Sequence, residues 1–427
     1  MRYIYFYITS LCLLFSAQAF AQTDSMHHMQ KPGIGLDSIL HAVSRHPSVK
    51  MKSAEVEAAR RRISMRSTLM DPMLMIGVQN LPTNSFRFDE EMMTSKMVGV
   101  SQILPFFGKL STEESIARQE VGTLQENTAE EENRLRRDIR LAFFDIAHLE
   151  KSVETNRQHI KTLNELIDLS EHSLAVAKGT QHDVLALKLE KAQTESTIAD
   201  QESMINMRLA DLSGASNLTI NAVSYDENSQ LTPFPYSIGL LDSLASVFRP
   251  ALLAMYSQTE QSAFEIERAR LMKYPDFSLG LIYMQRDAIG GMKQSDMMTA
   301  QLSFNLPIFS RKLGDAVAEQ EAMRTARQEE TSAMKLEIHA MLGSLLGRVG
   351  GLRKEYQILS SEILPLSDQS LATSRANYQN NKVELGEVLR TELAILHQLH
   401  QKYQLQAEYD KTIAQIEYLI GVDLITR

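Results

Sequence analysis

The sequence predicts a mainly α-helical protein with a smaller β portion, built as two copies of one structural plan. Two very long stretches carry helical patterns, and two pairs of shorter segments alternate apolar with polar residues. The same short landmarks also recur about two hundred residues apart. Together these observations indicate long rods and short strands instead of a compact globule.

Composition limits the possible classes of protein. The chain has 427 residues, of which 44% are hydrophobic and 23% charged, and a net charge of -9. No stretch after the N-terminus approaches the ~20 apolar residues that a spanning helix needs, so membrane passage would have to use strands. The acidic balance argues against nucleic acid as a partner.

The N-terminus has the order of a secretory signal peptide. Arg2 precedes an apolar core, and Ala19 and Ala21 fit an A-x-A cleavage site. We expect residues 1–21 to be removed on export. A buried strand or an uncleaved anchor is the alternative reading of this apolar run.

Cysteine usage agrees with export. Cys12 is the only cysteine, and it leaves with the signal peptide. The bulky Leu11 before it does not suit lipidation. The mature chain should start at Gln22 with a flexible segment over 22–35, and should hold together without disulfides.

An internal duplication organises the chain. Landmarks in the first half reappear in register in the second half. The matched features are Pro47 with Pro250, Pro72 with Pro275, 105–110 with 307–313, and Asp183-Val184-Leu185 with Glu387-Val388-Leu389. The predicted divisions are repeat 1 over 36–213, a linker over 214–237 wrapped on the outside, repeat 2 over 238–421, and a tail over 422–427.

Each repeat is predicted to contain one β-hairpin. The hairpins span 71–104 and 276–307, after entering helices over about 36–70 and 239–272. In the second hairpin one face is apolar and the other mostly polar, which is typical of membrane strands with lipid outside and water inside. Strands of a soluble sandwich alternate in the same way, so this pattern alone leaves both readings open.

A long helical hairpin follows each β-hairpin, over 109–213 and 313–421. The outgoing helices, near 110–176 and 313–379, would each reach roughly 100 Å at ~1.5 Å per residue. Only Pro365 interrupts them, and it is expected either to kink its rod or to be absorbed by local unwinding.

Heptad seams run along both outgoing helices, with steps of four and three residues. The first seam is Leu149, Val153, Asn156, Ile160, Leu163, Ile167, Ser170 and Leu174. The second is Leu352, Tyr356, Leu359, Ile363, Leu366, Ser370, Thr373 and Asn377. Polar members in both seams indicate packing that is looser than in a leucine zipper.

The rod tips carry the most specific motif. Leu174, Gly179 and Asp183-Val184-Leu185 at the first tip, and Tyr378 and Glu387-Val388-Leu389 at the second, approximate an aromatic-x-x-G-x-G-S-x-x-D-V-L pattern. With two helical hairpins, two β-hairpins and a duplication, the chain resembles the TolC family of outer-membrane efflux proteins, possibly its cation-efflux (Cus/Czc-type) branch, over essentially the whole mature length.

The resemblance implies a homotrimer in the outer membrane. Three protomers would each lend four strands to a twelve-stranded barrel in outer-membrane lipid and four helices to a periplasmic tunnel. It also implies a tripartite efflux system, in which the duct works with a periplasmic adaptor protein and an inner-membrane pump of the RND type. Ala177 and Asn381 stand where the family usually has glycine.

The tips are the expected adaptor-docking sites. The candidate residues are Ala177, Lys178, Gly179, Thr180, Asp183, Asn380, Asn381, Lys382, Val383 and Glu384. Gly179 can take a positive φ, and Lys178 and Lys382 offer charges at comparable places. The alternative is that these are turn residues without a partner.

Methionine and histidine patterns suggest soft metal ions as a possible cargo. Methionines cluster at or beside the predicted strands, namely Met65, Met70, Met73, Met75, Met92, Met93, Met97, Met272, Met284, Met292, Met297 and Met298. Met26, His27, His28 and Met29 form a candidate metal-binding tract after the cleavage site. Pliable apolar packing is the alternative for the methionines.

Enzymatic activity is not expected. The sequence has no G-x-S-x-G, Walker or H-E-x-x-H pattern, and no cofactor is predicted. His397 and His400 lie one turn apart but are expected to be surface or seam residues. A periplasmic coiled-coil adaptor or scaffold and a passive porin or adhesin are the competing functions, and tandem helical hairpins favour the duct. Heavy-metal cations are the preferred cargo, with organic compounds as the alternative.

Overall fold

The computed structural model describes residues 33–176, 179–225, 231, 233–380 and 382–424. Within these ranges the chain consists of long helices and one small antiparallel sheet, which confirms the mainly α fold class. The predicted signal peptide and the start of the predicted flexible segment lie outside the described residues.

The same succession of elements occurs in both halves. The first half contains α1 (Leu36–Leu40), a 3-10 turn (Val43–Arg45), α2 (Pro47–Ser67), β1 (Met73–Gln79), β2 (Ser95–Leu104), α3 (Lys109–Ala175) and α4 (Gln181–Ser216). The second contains α5 (Ile238–Phe248), α6 (Pro250–Leu271), β3 (Phe277–Gln285), β4 (Met297–Phe304), α7 (Ser310–Ile358), a π-turn (Leu359–Ile363), α8 (Leu364–Gln379) and α9 (Leu385–Ile420).

Proline divides both entering helices, although the sequence pattern predicts each of them as one continuous helix. Pro47 and Pro250 each occupy the first turn of a new helix, where a missing N–H costs nothing. His46 caps α2 by accepting a hydrogen bond from the Ser48 amide at 3.2 Å. Within the described ranges no single helix is long and apolar enough to cross a membrane, although α5 and α6, which are bent by 54°, reach that length and composition together.

The four strands form one sheet in the order β1-β2-β3-β4. All neighbouring strands are antiparallel, and the central pair joins the two halves, with Met97 opposite Met284 and Leu104 opposite Phe277. Asp276 anchors the base of the sheet, because its carboxylate accepts hydrogen bonds from Phe106 N and Lys109 Nζ, both at 2.8 Å.

Each repeat has its own hydrophobic core near the middle of the rods. In repeat 1, Ile39, Ile139 and Leu212 are fully buried. In repeat 2, Leu241, Leu342 and Ile416 occupy corresponding places and are also fully buried. The linker contributes to both cores, since Ile220 and Val223 pack in the first and Phe234 in the second. The duplication therefore extends from sequence landmarks to packing.

The predicted seam of the first rod agrees with its burial. Val153, Asn156, Leu163, Ile167 and Ser170 are buried, and α3 is one helix of 67 residues. Only the end of this seam departs from the pattern, because Leu174 is 39% exposed beside the tip.

The predicted seam of the second rod is wrong beyond Leu359. Ile363 and Leu366 are 38% and 65% exposed, whereas Leu364 is buried. The π-turn inserts one extra residue, so every later position shifts by one. Pro365 explains the turn, because its ring would clash with the carbonyl four residues earlier in a regular helix. The sequence left a kink or local unwinding open at Pro365, and the structure shows local unwinding.

Both chain ends of the described part make hydrogen bonds to other elements, and of the predicted flexible segment 22–35 the described residues are 33–35. Ile34 donates a backbone hydrogen bond to Ala222 O and accepts one from Ser224 N, both at 3.2 Å. In the tail, Asp423 accepts a hydrogen bond from Arg140 at 2.7 Å. Arg140 also contacts the buried Glu417 at 3.2 Å, so this guanidinium of repeat 1 ties α3 to the end of repeat 2.

Candidate functional site

The first rod tip is a tight turn between α3 and α4. Gly179 N donates to Ser173 O at 3.1 Å. A Cβ on Gly179 would lie 3.1 Å from Ser173 Cβ and 3.2 Å from Leu174 N. Glycine is favoured here because the turn approaches the end of α3 closely.

Thr180 and Asp183 form a capping box at the start of α4. Thr180 Oγ1 accepts from Asp183 N at 3.2 Å, and Asp183 Oδ2 accepts from Thr180 N at 3.2 Å. These two docking candidates are therefore occupied by local bonds that end the turn and begin the helix. The capping box therefore satisfies two backbone N–H groups at the start of α4.

The second tip has a different construction. Asn380 Nδ2 donates to Ala376 O at 2.8 Å, and Lys382 N donates to Asn377 O at 2.9 Å. Glu384 occupies the N-cap of α9 without a capping side-chain hydrogen bond. The side chains of Lys382 and Glu384 are exposed, and Val383 is half-buried.

The two tips pack against each other. A small core contains Leu163, Ile167 and Leu187 from repeat 1 and Leu385 from repeat 2, with Tyr378 beside them. Burial and the negative charge of Asp183 raise the pKa of Tyr378, in that order of importance. The tips therefore present one combined end surface, which the sequence motif did not reveal.

Three of the docking candidates, Ala177, Lys178 and Asn381, lie outside the described residues. The candidate metal-binding residues Met26, His27, His28 and Met29 lie outside them as well. Within the described ranges no group of three or more His, Cys, Asp or Glu side chains is placed to hold a metal ion. His397 is exposed and His400 is half-buried in the helix seam, as their positions predicted.

Sequence reasoning missed two features near the tips. Glu392 is buried beside Arg375 at 3.2 Å, and burial raises the pKa of its carboxyl although Arg375 opposes this. Val176 and Leu185 are 64% and 58% exposed, so the first tip has an apolar surface patch. The sequence motif alone cannot show whether Leu185 is exposed, because its exposure depends on where the neighbouring helices lie. The adjacent Val184 is buried.

The opposite end of the molecule is the sheet, whose two faces differ. The apolar face carries Leu74, Ile76, Val98, Val100, Leu279, Leu281, Tyr283 and Leu302, all of them exposed. The other face carries Gly99, Ser101, Ser278, Gly280, Thr299, Gln301 and Ser303 together with several methionines. On the two central strands the residues of this second face are less exposed. This difference between faces is the one expected for strands with lipid on one side and water on the other.

Solved structures share this arrangement of rods and strands. CusC has a TM-score of 0.76 at 16% sequence identity, covering 91% of this chain and 92% of that chain. The chain has the TolC fold. The outer-membrane channel OprN gives 0.76 at 13% identity with 91% and 90% coverage, and the outer membrane protein VceC of Vibrio cholerae gives 0.74 at 16% identity with 91% and 96% coverage.

Among the comparisons with known proteins, only those with solved structures find the TolC fold. No family model matches the sequence, and no curated protein is significantly similar to it. The sequence identity is 16%, 13% and 16% while the overlap covers at least 90% of each chain, so the similarity is one of fold. The structural similarity confirms the fold that the tip motifs and the duplication predicted.

Proposed function

We propose that this chain is the outer-membrane duct of a tripartite efflux system. The observation that carries the proposal is the combination of a sheet with one exposed apolar face and helical rods of up to 67 residues on a single protomer. The sheet suits the outer membrane, and rods of roughly 100 Å suit a periplasmic tunnel. The channel structures that share the fold support this function.

A homotrimer would complete both the membrane barrel and the helical tunnel. Within the described residues, β1 and β4 each pair on one side only, and open strand edges are not tolerated in hydrocarbon. Four strands are too few to close a barrel, whereas twelve strands from three copies leave room for a lumen. Each protomer therefore needs neighbours at β1 and at β4.

The helices present edges in the same order. α4 packs on α3, α3 on α9, and α9 on α7 and α8, so that α4 and α7–α8 are the outer members. Leu185, Leu189 and Met207 on α4 and Leu336 and Leu366 on α7 and α8 are exposed. We propose that α4 of one protomer meets α7 and α8 of the next, a head-to-tail contact that closes into a ring.

The combined tip surface is the proposed docking site for a periplasmic adaptor protein, which in turn contacts an inner-membrane pump of the RND type. The exposed Lys382 and Glu384 offer charges, and Val176 and Leu185 offer apolar contact. The duct needs no catalytic group or cofactor of its own, because the pump supplies the energy.

Docking is tested by charge reversal at one end of the molecule with a matched control at the other. Lys382→Glu should abolish efflux and leave the trimer intact, and Lys293→Glu in the exposed β3–β4 loop should leave efflux unchanged. Crosslinking to the adaptor should fall only in the first variant. Unchanged efflux and crosslinking in Lys382→Glu would exclude this residue from docking.

Heavy-metal cations are the proposed cargo, with organic compounds as the second candidate. The experiment compares a deletion strain with its complemented parent on copper, silver, zinc and cobalt salts, dyes and antibiotics. Sensitivity to metals alone would support the cation proposal, and sensitivity to organic compounds alone would replace it. Unchanged susceptibility to every compound would contradict the efflux function.

A further inference from the structure

Methionines are distributed unequally between the two faces of the sheet. Met73, Met75, Met97, Met284 and Met297 all lie on the polar face, and Met298 is the strand methionine on the apolar face. Methionine used as an apolar filler against lipid should concentrate on the apolar face, where leucine, valine and isoleucine stand. Packing against lipid would place the methionines on the apolar face, whereas most of the strand methionines lie on the polar face.

Three of these methionines form a continuous row across neighbouring strands. Met97 on β2 is opposite Met284 on β3, and Met284 is opposite Met297 on β4. Adjacent strands lie about 4.8 Å apart, so directly opposed side chains are neighbours. Gly77 occupies the same row on β1, and the Met97 methyl group lies 3.0 Å from the position that a Cβ on Gly77 would take.

The chemistry of the row suits a soft cation. Each methionine has three rotatable side-chain bonds, which allow thioether sulfurs on adjacent strands to turn toward one point. Thioethers select Cu(I) over harder ions. The strand residues on the rest of this face are serine, threonine, glutamine, glycine, isoleucine and further methionines, and none of them is a carboxylate. Met97 and Met284 are half-buried and Met297 is exposed, so all three side chains are accessible from solvent.

We propose that Met97, Met284 and Met297 form a binding site for Cu(I) and its soft congener Ag(I). In this site the three thioethers coordinate the ion directly and no proton or electron is transferred. The binding itself depends only on the sheet, whereas its location on the transport path rests on the proposed duct. Weak, exchangeable thioether coordination would hold a cation transiently inside a lumen.

The test measures Ag(I) binding to the purified full-length protein in detergent and chloride-free buffer. All samples carry Met26→Leu, His27→Gln, His28→Gln and Met29→Leu, so that the N-terminal tract does not contribute. The site variant adds Met97→Leu, Met284→Leu and Met297→Leu. The matched control adds Met92→Leu, Met93→Leu and Met298→Leu, which lie in a loop and on the apolar face.

Calorimetric titration should show saturable binding in the background protein and in the control. The site variant should bind at least about 100-fold more weakly, because mutating the outer-shell partners of a metal ligand already costs about 10- to 100-fold and this variant removes the ligands themselves. X-ray absorption at the silver edge should show sulfur neighbours that disappear in the site variant. Equal circular dichroism melting curves for the variants would establish that leucine preserves the fold.

Two results would overturn the proposal. The first is no saturable Ag(I) binding in the background protein, and the second is equal affinity in the site variant and the control. Neither result depends on a pump or an adaptor, so failure of this site is distinguishable from failure of the efflux function in the deletion strain.

Discussion

The corresponding outgoing rods of the two repeats have opposite surroundings. α3 is continuous and packs against α2, α4, α6 and α9, whereas α7 and α8 are separated by a π-turn and leave one side open. Exposed apolar residues on the second rod include Met323, Leu336, Met341, Ile358 and Leu366, whereas those on α3 are confined to Leu169 and Leu174 near the tip. The two repeats therefore have rods at corresponding places in the chain, but α3 lies in the interior of the protomer whereas α7 and α8 lie at its edge.

Cavities in the two central cores should be among the changes that lower stability most, and their effects should be similar in both repeats. Ile139→Ala and Leu342→Ala each truncate a fully buried side chain at an equivalent place. Each should lower the free energy of unfolding by about 2–5 kcal/mol, because lost transfer energy and the remaining cavity add. Chemical denaturation in detergent measures both. A large cost in only one repeat would show that the cores are not equivalent.

The ion pairs that connect the repeats should come next. Arg140→Met removes the guanidinium that lies 3.2 Å from the carboxylate of Glu417, a residue that is 4% exposed. Breaking a buried pair on one side costs about 3–5 kcal/mol. The control Arg208→Met removes a half-exposed guanidinium from Asp145 and should change the free energy of unfolding by less than about 1 kcal/mol. Equal effects in the two variants would contradict the connecting role of Arg140.

The open edges are tested by substitutions that should weaken the trimer more than the protomer. Leu336→Ser on α7 and Met207→Ser on α4 remove exposed apolar side chains from opposite edges. Each should cost about 1.5–3 kcal/mol per interface if the side chain is buried there. The trimer fraction should fall in detergent with no change in the circular dichroism of the protomer. Intact trimers in both variants would exclude these faces as the interface.

The seam between α3 and α9 should respond to acid. Burial lowers the pKa of His148, His159 and His400, so the folded chain keeps these rings neutral. The unfolded chain takes up protons below about pH 6.5, so this contribution to stability is complete above that pH and is lost as the pH falls. Each such histidine contributes at most about 1.4 kcal/mol per pH unit.

His400→Gln should therefore flatten the fall in unfolding free energy between pH 7 and pH 5. His397→Gln, at an exposed position one turn away on the same helix, is the comparison variant. The comparison requires denaturation curves at both pH values for the three proteins. A slope in His400→Gln equal to that of the natural protein would remove this ring from the acid response.

The smallest expected effect compares the two tips. Thr180→Ala removes a capping box at α4 and should cost about 0.5–2 kcal/mol. Glu384→Ala at the corresponding position of α9 should cost little, because that side chain makes no capping hydrogen bond. Hydrogen exchange at the first turn of each helix measures the difference locally. Equal exchange rates in both variants would show that the caps do not set tip rigidity.

The periodic spacing of apolar residues and the positions of proline and glycine predicted most of the fold. The alternation in β3 and β4 located a hairpin, and the step pattern from Val153 to Ser170 located a buried seam. The second seam was wrong after Leu359 because one extra residue in a π-turn is invisible to a pattern of regular steps. Pro365 was the only sign of it.

The candidate site was less predictable than the fold. The tip motif located the turns, but it could not reveal that Thr180 and Asp183 bind each other or that Leu385 packs against Leu163. These facts depend on contacts between residues that are distant in sequence. The sequence shows Met97, Met284 and Met297 individually. Only the register between β2, β3 and β4 shows that they form a row.

The central claim is that one protomer is incomplete and that three copies close the barrel and the tunnel. Native mass spectrometry of the detergent-solubilised protein, taken from the outer-membrane fraction, tests it most directly. We predict a single assembly of three mature chains that dissociates in Leu336→Ser. A monomer or dimer from that fraction, or a protein absent from the outer membrane, would contradict the account.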